Sequence, residues 1–323
     1  MTKIIRLNSF DLIATRDKQP DAFPWYEKLS TGGVVSVGNF DGVHLGHISL
    51  IDRVRQLANE SGIPAIAVSF DPHPAVILRP DDAPKRLMTI ERRAEVMSRY
   101  GIDQLVICPV TPRFLELSAK QFFTGLIVDC LNAKAMVEGP NFFFGRGREG
   151  DSARLSSLCE HSQTSLEIVE PKVQDHSMIS SSRIRALLEA GDVQRASDLL
   201  SDPHQIKGTV VAGDRRGREI GFPTANLNEV DALVPGLGVY GGTAIINGRR
   251  FLAAIHVGPN PTFNDKQQKK IEVHLLDFDG DLYGTELKVN FGFRLREVSK
   301  FSSAESLVKQ LQKDIMTVRN YFN

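Results

Sequence analysis

Over the first half of the chain short apolar runs alternate with amphipathic stretches. Val34–Val37, Ala65–Phe70, Leu105–Cys108, Ala135–Val137 and Leu166–Val169 each set a few consecutive apolar residues between turn formers, which predicts buried strands. Between them the period lengthens. Ile48, Ile51, Val54 and Ala58 recur at helical spacing, and Ser118 opens another predicted helix, with Gln121 at capping-box distance and Phe122, Leu126 and Cys130 on one face. Strand–helix–strand alternation of this kind predicts a parallel sheet covered by helices. Beyond Pro203 the pattern changes. Lys207–Ala212, Gly238–Ile246, Phe251–Val257, Ile271–Phe278 and Leu287–Phe293 read as strands joined by turns such as Asn247-Gly248 and Asp279-Gly280, and so many short strands predict a small closed barrel. A last helix is predicted to open at Ser302, capped through Glu305, with Leu307, Leu311, Ile315, Val318 and Phe322 on its buried face.

The 323 residues are long for one core. The change of texture puts the boundary near Arg185–Pro203, which divides the chain into 1–186 and 187–323. The 39 basic and 39 acidic residues cancel, which removes the electrostatic case for non-specific binding to nucleic acid or an anionic membrane. Any anionic ligand must then be held locally. Cys108, Cys130 and Cys159 are odd in number and lack metal-ligand spacing, so buried thiols in a reducing compartment are expected. With no apolar run of signal-peptide or membrane-span length, the cytoplasm is the expected location.

Directly after the first strand of the alternating region comes Gly38-Asn39-Phe40-Asp41-Gly42-Val43-His44-Leu45-Gly46-His47. Gly38 and Gly42 let backbone approach a ligand, and the following helix turns free N–H groups toward it, a geometry that suits a phosphate. His44 and His47, three apart, fall on one side of the first helical turn, where both can donate charge-assisted hydrogen bonds to a phosphate gaining charge. A lone histidine there would be an ordinary cap; the whole run is more specific.

That run resembles the G-x-F-D-G-x-H-x-G-H motif of the nucleotidylyltransferase superfamily, and specifically the adenylyltransferase half of bacterial bifunctional riboflavin kinase/FAD synthetases. Two further segments carry the resemblance. Gly139-Pro140-Asn141-Phe142-Phe143-Phe144-Gly145 is similar to the segment that lines the nucleotide and flavin pocket, which implies roles for Asn141 and Phe144. Ile179-Ser180-Ser181-Ser182-Arg183-Ile184-Arg185 is similar to a second phosphate clamp, which implies contacts from Ser180, Ser181 and Arg185 beside those of Gly38, Phe40, Asp41 and Gly42. Where many relatives carry an arginine this chain has Met178, and Asp71-Pro72-His73-Pro74 is expected to wall the site. The resemblance implies a Rossmann-like nucleotidylyltransferase domain in which the phosphate of FMN attacks the α-phosphorus of ATP, with Mg²⁺ on the phosphates and no protein base.

The second half carries Gly213-Asp214-Arg215-Arg216-Gly217-Arg218-Glu219-Ile220-Gly221-Phe222-Pro223-Thr224-Ala225-Asn226, which resembles the riboflavin kinase signature. Thr224 and Asn226 point the same way along an extended segment, so their oxygens can hold the Mg²⁺ of Mg·ATP together. The resemblance implies ATP contacts from Gly213, Gly217, Gly221 and Pro223, flavin contacts from Arg296 and Phe301, and Glu272 as the base for the ribityl 5′-hydroxyl. The chain departs from the usual pattern at His256, Asn260 and Val298, near the implied flavin side. The expected protein is an α/β nucleotidylyltransferase unit followed by a small antiparallel β-barrel kinase with a C-terminal helix. It would take riboflavin, FMN and ATP and yield FAD, without nucleic acid or membrane as partner. Two other readings stand beside it: an adenylyltransferase with a weakened kinase half, and a flavin-nucleotide carrier or sensor without turnover. Intact His44, His47 and Glu272 count against the last.

Overall fold

The computed structural model describes residues 1–7, 32–213, 216–259 and 269–322. Trp25, Asp214, Arg215 and Asn260 lie outside the described residues. Two compact units emerge, one of Met1–Pro84 with Ile90–Ile179 and the other of Lys85–Thr89 with Ser180–Asn323.

In the first unit six parallel strands stand in the order β1-β4-β3-β2-β5-β6: β1 Lys3–Arg6, β2 Val34–Val37, β3 Ala65–Asp71, β4 Gln104–Pro109, β5 Ala135–Glu138 and β6 Ser165–Ile168. The five apolar runs account for β2 to β6. The added edge strand β1 pairs with β4, Lys3 opposite Gln104 through Arg6 opposite Ile107. Helix α1 (Leu45–Ser61) follows β2, and its Ile51, Val54 and Ala58 are buried as their spacing predicts. The capping box of Ser118 and Gln121 is present, but the helix widens to π geometry over Phe123–Cys130, which keeps Phe122, Leu126 and Cys130 buried. Chain direction reverses its order about β2: β3 and β4 lie to one side, β5 and β6 to the other. The crevice at the carboxyl ends of β2 and β5 is therefore the topological switch point, where open α/β sheets take their ligands. Both glycine-bearing segments of this half leave the sheet there.

The second unit is a closed antiparallel barrel in the order β10-β13-β12-β11-β14-β9. Its strands are β9 Gln205–Val211, β10 Ala225–Asn228, β11 Gly238–Ile246, β12 Arg249–Pro259, β13 Lys269–Leu275 and β14 Glu286–Arg296; a small hairpin in the first unit supplies β7 (Val173–Gln174) and β8 (Ser177–Met178). The sixth barrel strand is the extended segment bearing Asn226. Asn247-Gly248 makes the two-residue turn between β11 and β12, both residues at positive φ (48° and 76°). Asp279-Gly280 instead falls inside a longer connection from Leu276 to Thr285. Period-2 patterning is clear on β13, where Ile271, Val273 and Leu275 fill the barrel and Lys270, Glu272 and His274 face the other way. The last helix spans Ala304–Phe322, and its start is capped by Ser303 and Ser306, each accepting the other's N–H at 3.2 Å, rather than by Ser302 and Glu305. A serine at the N3 position serves as the reciprocal acceptor in place of the glutamate.

Candidate functional site

From β2 the chain enters a tight loop in which Phe40 (φ 47°), Gly42 (φ 89°) and Val43 (φ 38°) all adopt left-handed backbone. For a β-branched residue such as Val43 this is strain, on the order of 1–3 kcal/mol, that the surrounding packing must hold. The loop ends on His44, the N-cap of α1. Its Nδ1 accepts the His47 N–H at 3.3 Å, and His47 Nδ1 accepts the His44 N–H at 3.3 Å, so two imidazoles form a capping box. The rings stack with centroids 3.5 Å apart, and Phe40, buried beneath, meets His47 edge-on at 5.1 Å. With Nδ1 occupied as an acceptor, the neutral His47 ring carries its proton on Nε2 and donates from there. Burial, then His44, then Arg93 hold the His47 imidazole well below its ordinary value. His47 is thus preset as a neutral donor.

Beneath the loop lies a charge that the sequence reading passed over. Arg93, on the helix Ile90–Arg99, is buried, with Nη2 3.7 Å from Asp41 Oδ1 and Nη1 donating to Ser69 Oγ at 2.5 Å. Ser69 Oγ donates on to the Asn39 carbonyl at 2.9 Å, and the Asn39 amide lies 3.0 Å from His73 Nε2. Asp41 therefore does not oppose an incoming phosphate with a bare negative charge; Arg93 neutralises it and ties the loop to β3. Glu138, at the end of β5, is the second hidden group. β2 and β5 pair only at Val34–Ala135 and Val35–Met136; past that point the Val37 N–H donates to Glu138 Oε1 at 2.7 Å. A side chain replaces the ladder where the crevice opens. Burial pushes the Glu138 carboxyl well above its usual range, against the Val37 hydrogen bond, which lowers it.

The other expected residues of this half divide. Asn141 is exposed and donates to Met178 Sδ at 3.8 Å. Phe144, expected to line the pocket, is only 5% exposed and packs on Phe122 and Phe142, so it supports the segment from the core side. Ser180 caps the helix Ser181–Glu189 by accepting the Arg183 N–H at 3.3 Å, and Arg185 Nε donates to the Lys85 carbonyl at 2.7 Å. These residues belong to the second unit.

In the barrel a cavity of about 360 Å³ is lined by Thr224, Asn226, His256, Lys270, Glu272 and Arg296, with Leu307 and Leu311 of the last helix along its apolar side. Glu272 is half-buried and both its oxygens are occupied: His256 Nδ1 stands 3.1 Å from Oε2 and Lys270 Nζ 3.1 Å from Oε1. The hydrogen bond from His256, and after it those from Lys270, hold the carboxyl below its ordinary range although burial raises it. Asn226 Oδ1 is buried without a partner, and a Cβ at Gly213 would overlap the Asn226 amide, so only glycine fits there. Gly217 accepts the Phe222 N–H at 2.8 Å, Gly221 sits at φ 84°, and the Pro223 carbonyl accepts from His274 Nδ1 at 2.8 Å, which together fold the signature loop against β13. Arg296 is bidentate to buried Asp314, at 2.9–3.2 Å, and its guanidinium lies 5.5 Å from the Phe301 ring centroid. Val298 lines the same cavity.

A strand-end cradle of amides and imidazoles on one unit, and a paired carboxylate beside threonine and asparagine on the other, define a protein built to transfer phosphate groups at two places. A family model described as FAD synthetase matches residues 27–183, and one described as riboflavin kinase matches residues 200–322. Proteins described as bifunctional riboflavin kinase/FMN adenylyltransferase are similar along most of the chain: 37% identity in Listeria monocytogenes, over 90% of this chain and 92% of the relative, 36% in Bacillus subtilis, over 90% and 92%, and 33% in Escherichia coli K12, over 90% and 93%. The chain belongs to the bifunctional riboflavin kinase/FMN adenylyltransferase family. A crystal structure from Streptococcus pneumoniae, described as a macrolide-efflux protein, superposes with a TM-score of 0.86 at 31% identity, covering 98% of this chain and 99% of its own. Among the described residues of this chain no helix is long and apolar enough to cross a membrane.

Proposed function

We propose that this chain makes both flavin nucleotides, phosphorylating riboflavin to FMN with one ATP and adenylylating FMN to FAD with a second. The observation that carries the reading is the presence on one chain of both family matches. The functional division is taken at 1–186 and 187–323. In the barrel, Glu272 accepts the proton of the ribityl 5′-hydroxyl as the new O–P bond forms and the bond between the γ-phosphorus and the β,γ-bridging oxygen breaks. Gly213, Gly217, Gly221 and Pro223 shape the ATP loop, while Arg296 and Phe301 bound the flavin side. The orphaned oxygen of Asn226, with Thr224 on the same cavity, fits a hard cation, and these two would hold Mg²⁺. When bound, Mg²⁺ offsets charge on the ATP phosphates.

In the α/β unit the nucleophile is the phosphate of FMN, which has no proton to lose before it attacks the α-phosphorus and displaces pyrophosphate. Gly38, Phe40, Asp41 and Gly42 supply the loop; His44 and His47 donate to the reacting phosphate; Asn141, with Phe144 behind it, bounds the flavin nucleotide. Positioning and charge stabilisation then make up the catalysis. The three cysteines are buried free thiols, in keeping with work in the cytoplasm. Purified protein incubated with riboflavin, ATP and Mg²⁺, followed by chromatography of the flavins, tests the reading: FMN and FAD should both appear. FAD formed only from supplied FMN would mean a silent kinase half, and no conversion would leave a flavin-nucleotide carrier.

A further inference from the structure

We propose that His256 is the positioning residue of the phosphorylation site: the hydrogen bond from its Nδ1–H fixes the Glu272 carboxylate in the orientation from which it meets the substrate hydroxyl. The proposal rests on the reading of Glu272 as the base. Its ground is a row of three side chains across the barrel wall. β10 pairs with β13 so that Asn226 stands opposite Glu272, and β12 pairs with β13 on the other side so that His256 stands opposite Glu272. All three line the same cavity.

A glutamate on a strand has three torsions and would sample several rotamers at a half-open site. Here one oxygen is 3.1 Å from the imidazole and the other 3.1 Å from an ammonium, so one orientation satisfies both donors. The donors differ in stiffness. Lys270 reaches with a four-carbon stem and can follow the carboxylate. The His256 side chain turns on only two torsions, and its ring lies along its own strand over Gly258, where a Cβ would come within 2.6 Å of Cε1 and 3.0 Å of Nε2, so the bare glycine leaves the room in which the ring reaches Glu272. The shorter side chain is the stiffer of the two donors, and it sets the carboxylate. The imidazole takes no part in the bond changes, and the hydroxyl proton ends on Glu272. A side-chain pair that merely decorated the surface would leave turnover alone.

The test compares the full-length wild type with His256→Leu, His256→Asn and Glu272→Gln. It measures kcat and KM for riboflavin phosphorylation, with thermal melting and circular dichroism as the check on folding of the barrel and FAD formation from supplied FMN as the control for the other site. Leucine fills the space without a donor. The Asn side-chain NH₂ lies near where Nδ1 was. His256→Leu should lower kcat about 10–100-fold, the usual cost of removing an orienting partner, with both KM values within about threefold. His256→Asn should recover kcat to within about threefold of wild type. Wild-type kcat in His256→Leu, with Glu272→Gln inactive, would overturn the positioning role and leave the base standing. Equal loss in His256→Asn and His256→Leu would overturn it as well, since the ring and not the donor would then matter. A Glu272→Gln variant with wild-type turnover would sink the base reading itself. Should His256→Leu fail to fold, Gly258→Ala, which crowds the ring without removing either group, must lower kcat with KM held; unchanged kcat there rejects the proposal.

Discussion

The two sites treat ionisable groups in opposite ways. At the α/β crevice charge is suppressed: the His47 imidazole is held neutral, Asp41 is neutralised by Arg93, and burial keeps the Glu138 carboxyl protonated past its usual range. In the barrel the reverse holds, and Glu272 is kept ionised by His256 and Lys270. The contrast follows the two nucleophiles proposed above. A phosphate brings its own electron pair and sheds no proton, so neutral donors suffice. A hydroxyl must lose a proton to something, and a carboxylate already free of its own is ready to take it.

The largest effect that can break this contrast is Glu272→Gln. It keeps shape and one acceptor but cannot take the proton, so FMN formation should fall about 10²–10⁴-fold. FAD formation from supplied FMN should persist. Equal loss of both reactions in a folded protein would merge the two sites into one.

Arg93→Leu comes next and acts through stability. Removing one member of a buried ion pair leaves Asp41 uncompensated, a cost of about 3–5 kcal/mol. Thermal melting should fall and FAD formation with it, and adding Asp41→Asn should recover part of the loss. No recovery in the double variant would mean that Arg93 acts on Ser69 or on substrate rather than on Asp41. The His47→Ala change removes a donor aimed at the reacting phosphate and should cost FAD formation about 10²–10³-fold with phosphorylation little changed. Because the function asked of His47 is a neutral N–H, His47→Gln should recover much of the rate. For the same reason His47→Gln should leave the pH profile of FAD formation unchanged near the ordinary histidine value, about pH 6.5, where the FMN phosphate itself also titrates. A step there that only the histidine enzyme shows would mean that the ring works as a cation.

Much of this was legible in sequence, and what was not has a common cause. The buried strands β2 to β6 and the turn at Asn247-Gly248 follow from local pattern. Strand β1 does not, because Lys3–Arg6 is four residues long and its partner lies about a hundred positions away. Arg93 sits in the charged run Glu91-Arg92-Arg93, where nothing local separates it from its neighbours; only the fold shows that Arg93 is buried. Glu138 directly follows the apolar run Ala135–Val137, and nothing local marks it as the acceptor of the Val37 N–H. The His256–Glu272 contact depends on the register of β12 against β13, and register is not written in either strand alone. Phe144 fails differently: a resemblance carries residue type from pocket to pocket, while its burial is decided by neighbours such as Phe122.

The smallest prediction sharpens the claim that the crevice suppresses charge. In the unfolded chain Glu138 ionises near its ordinary value, about 4.3. Folded, burial makes it keep its proton to higher pH. Over the interval between those two values the unfolded state has lost a proton that the folded state retains, so stability falls as pH rises. Below about pH 4.3 both states are protonated and the penalty vanishes. Glu138→Gln removes the titration and keeps an oxygen to accept the Val37 N–H. The variant should therefore melt close to wild type near pH 4, and its advantage in Tm should grow on going to pH 8. Melting both proteins across that range decides the matter. An advantage that shrinks with rising pH would mean that Glu138 is ionised in the fold and that a negative charge sits between β2 and β5, where an incoming phosphate would meet repulsion instead of a neutral wall.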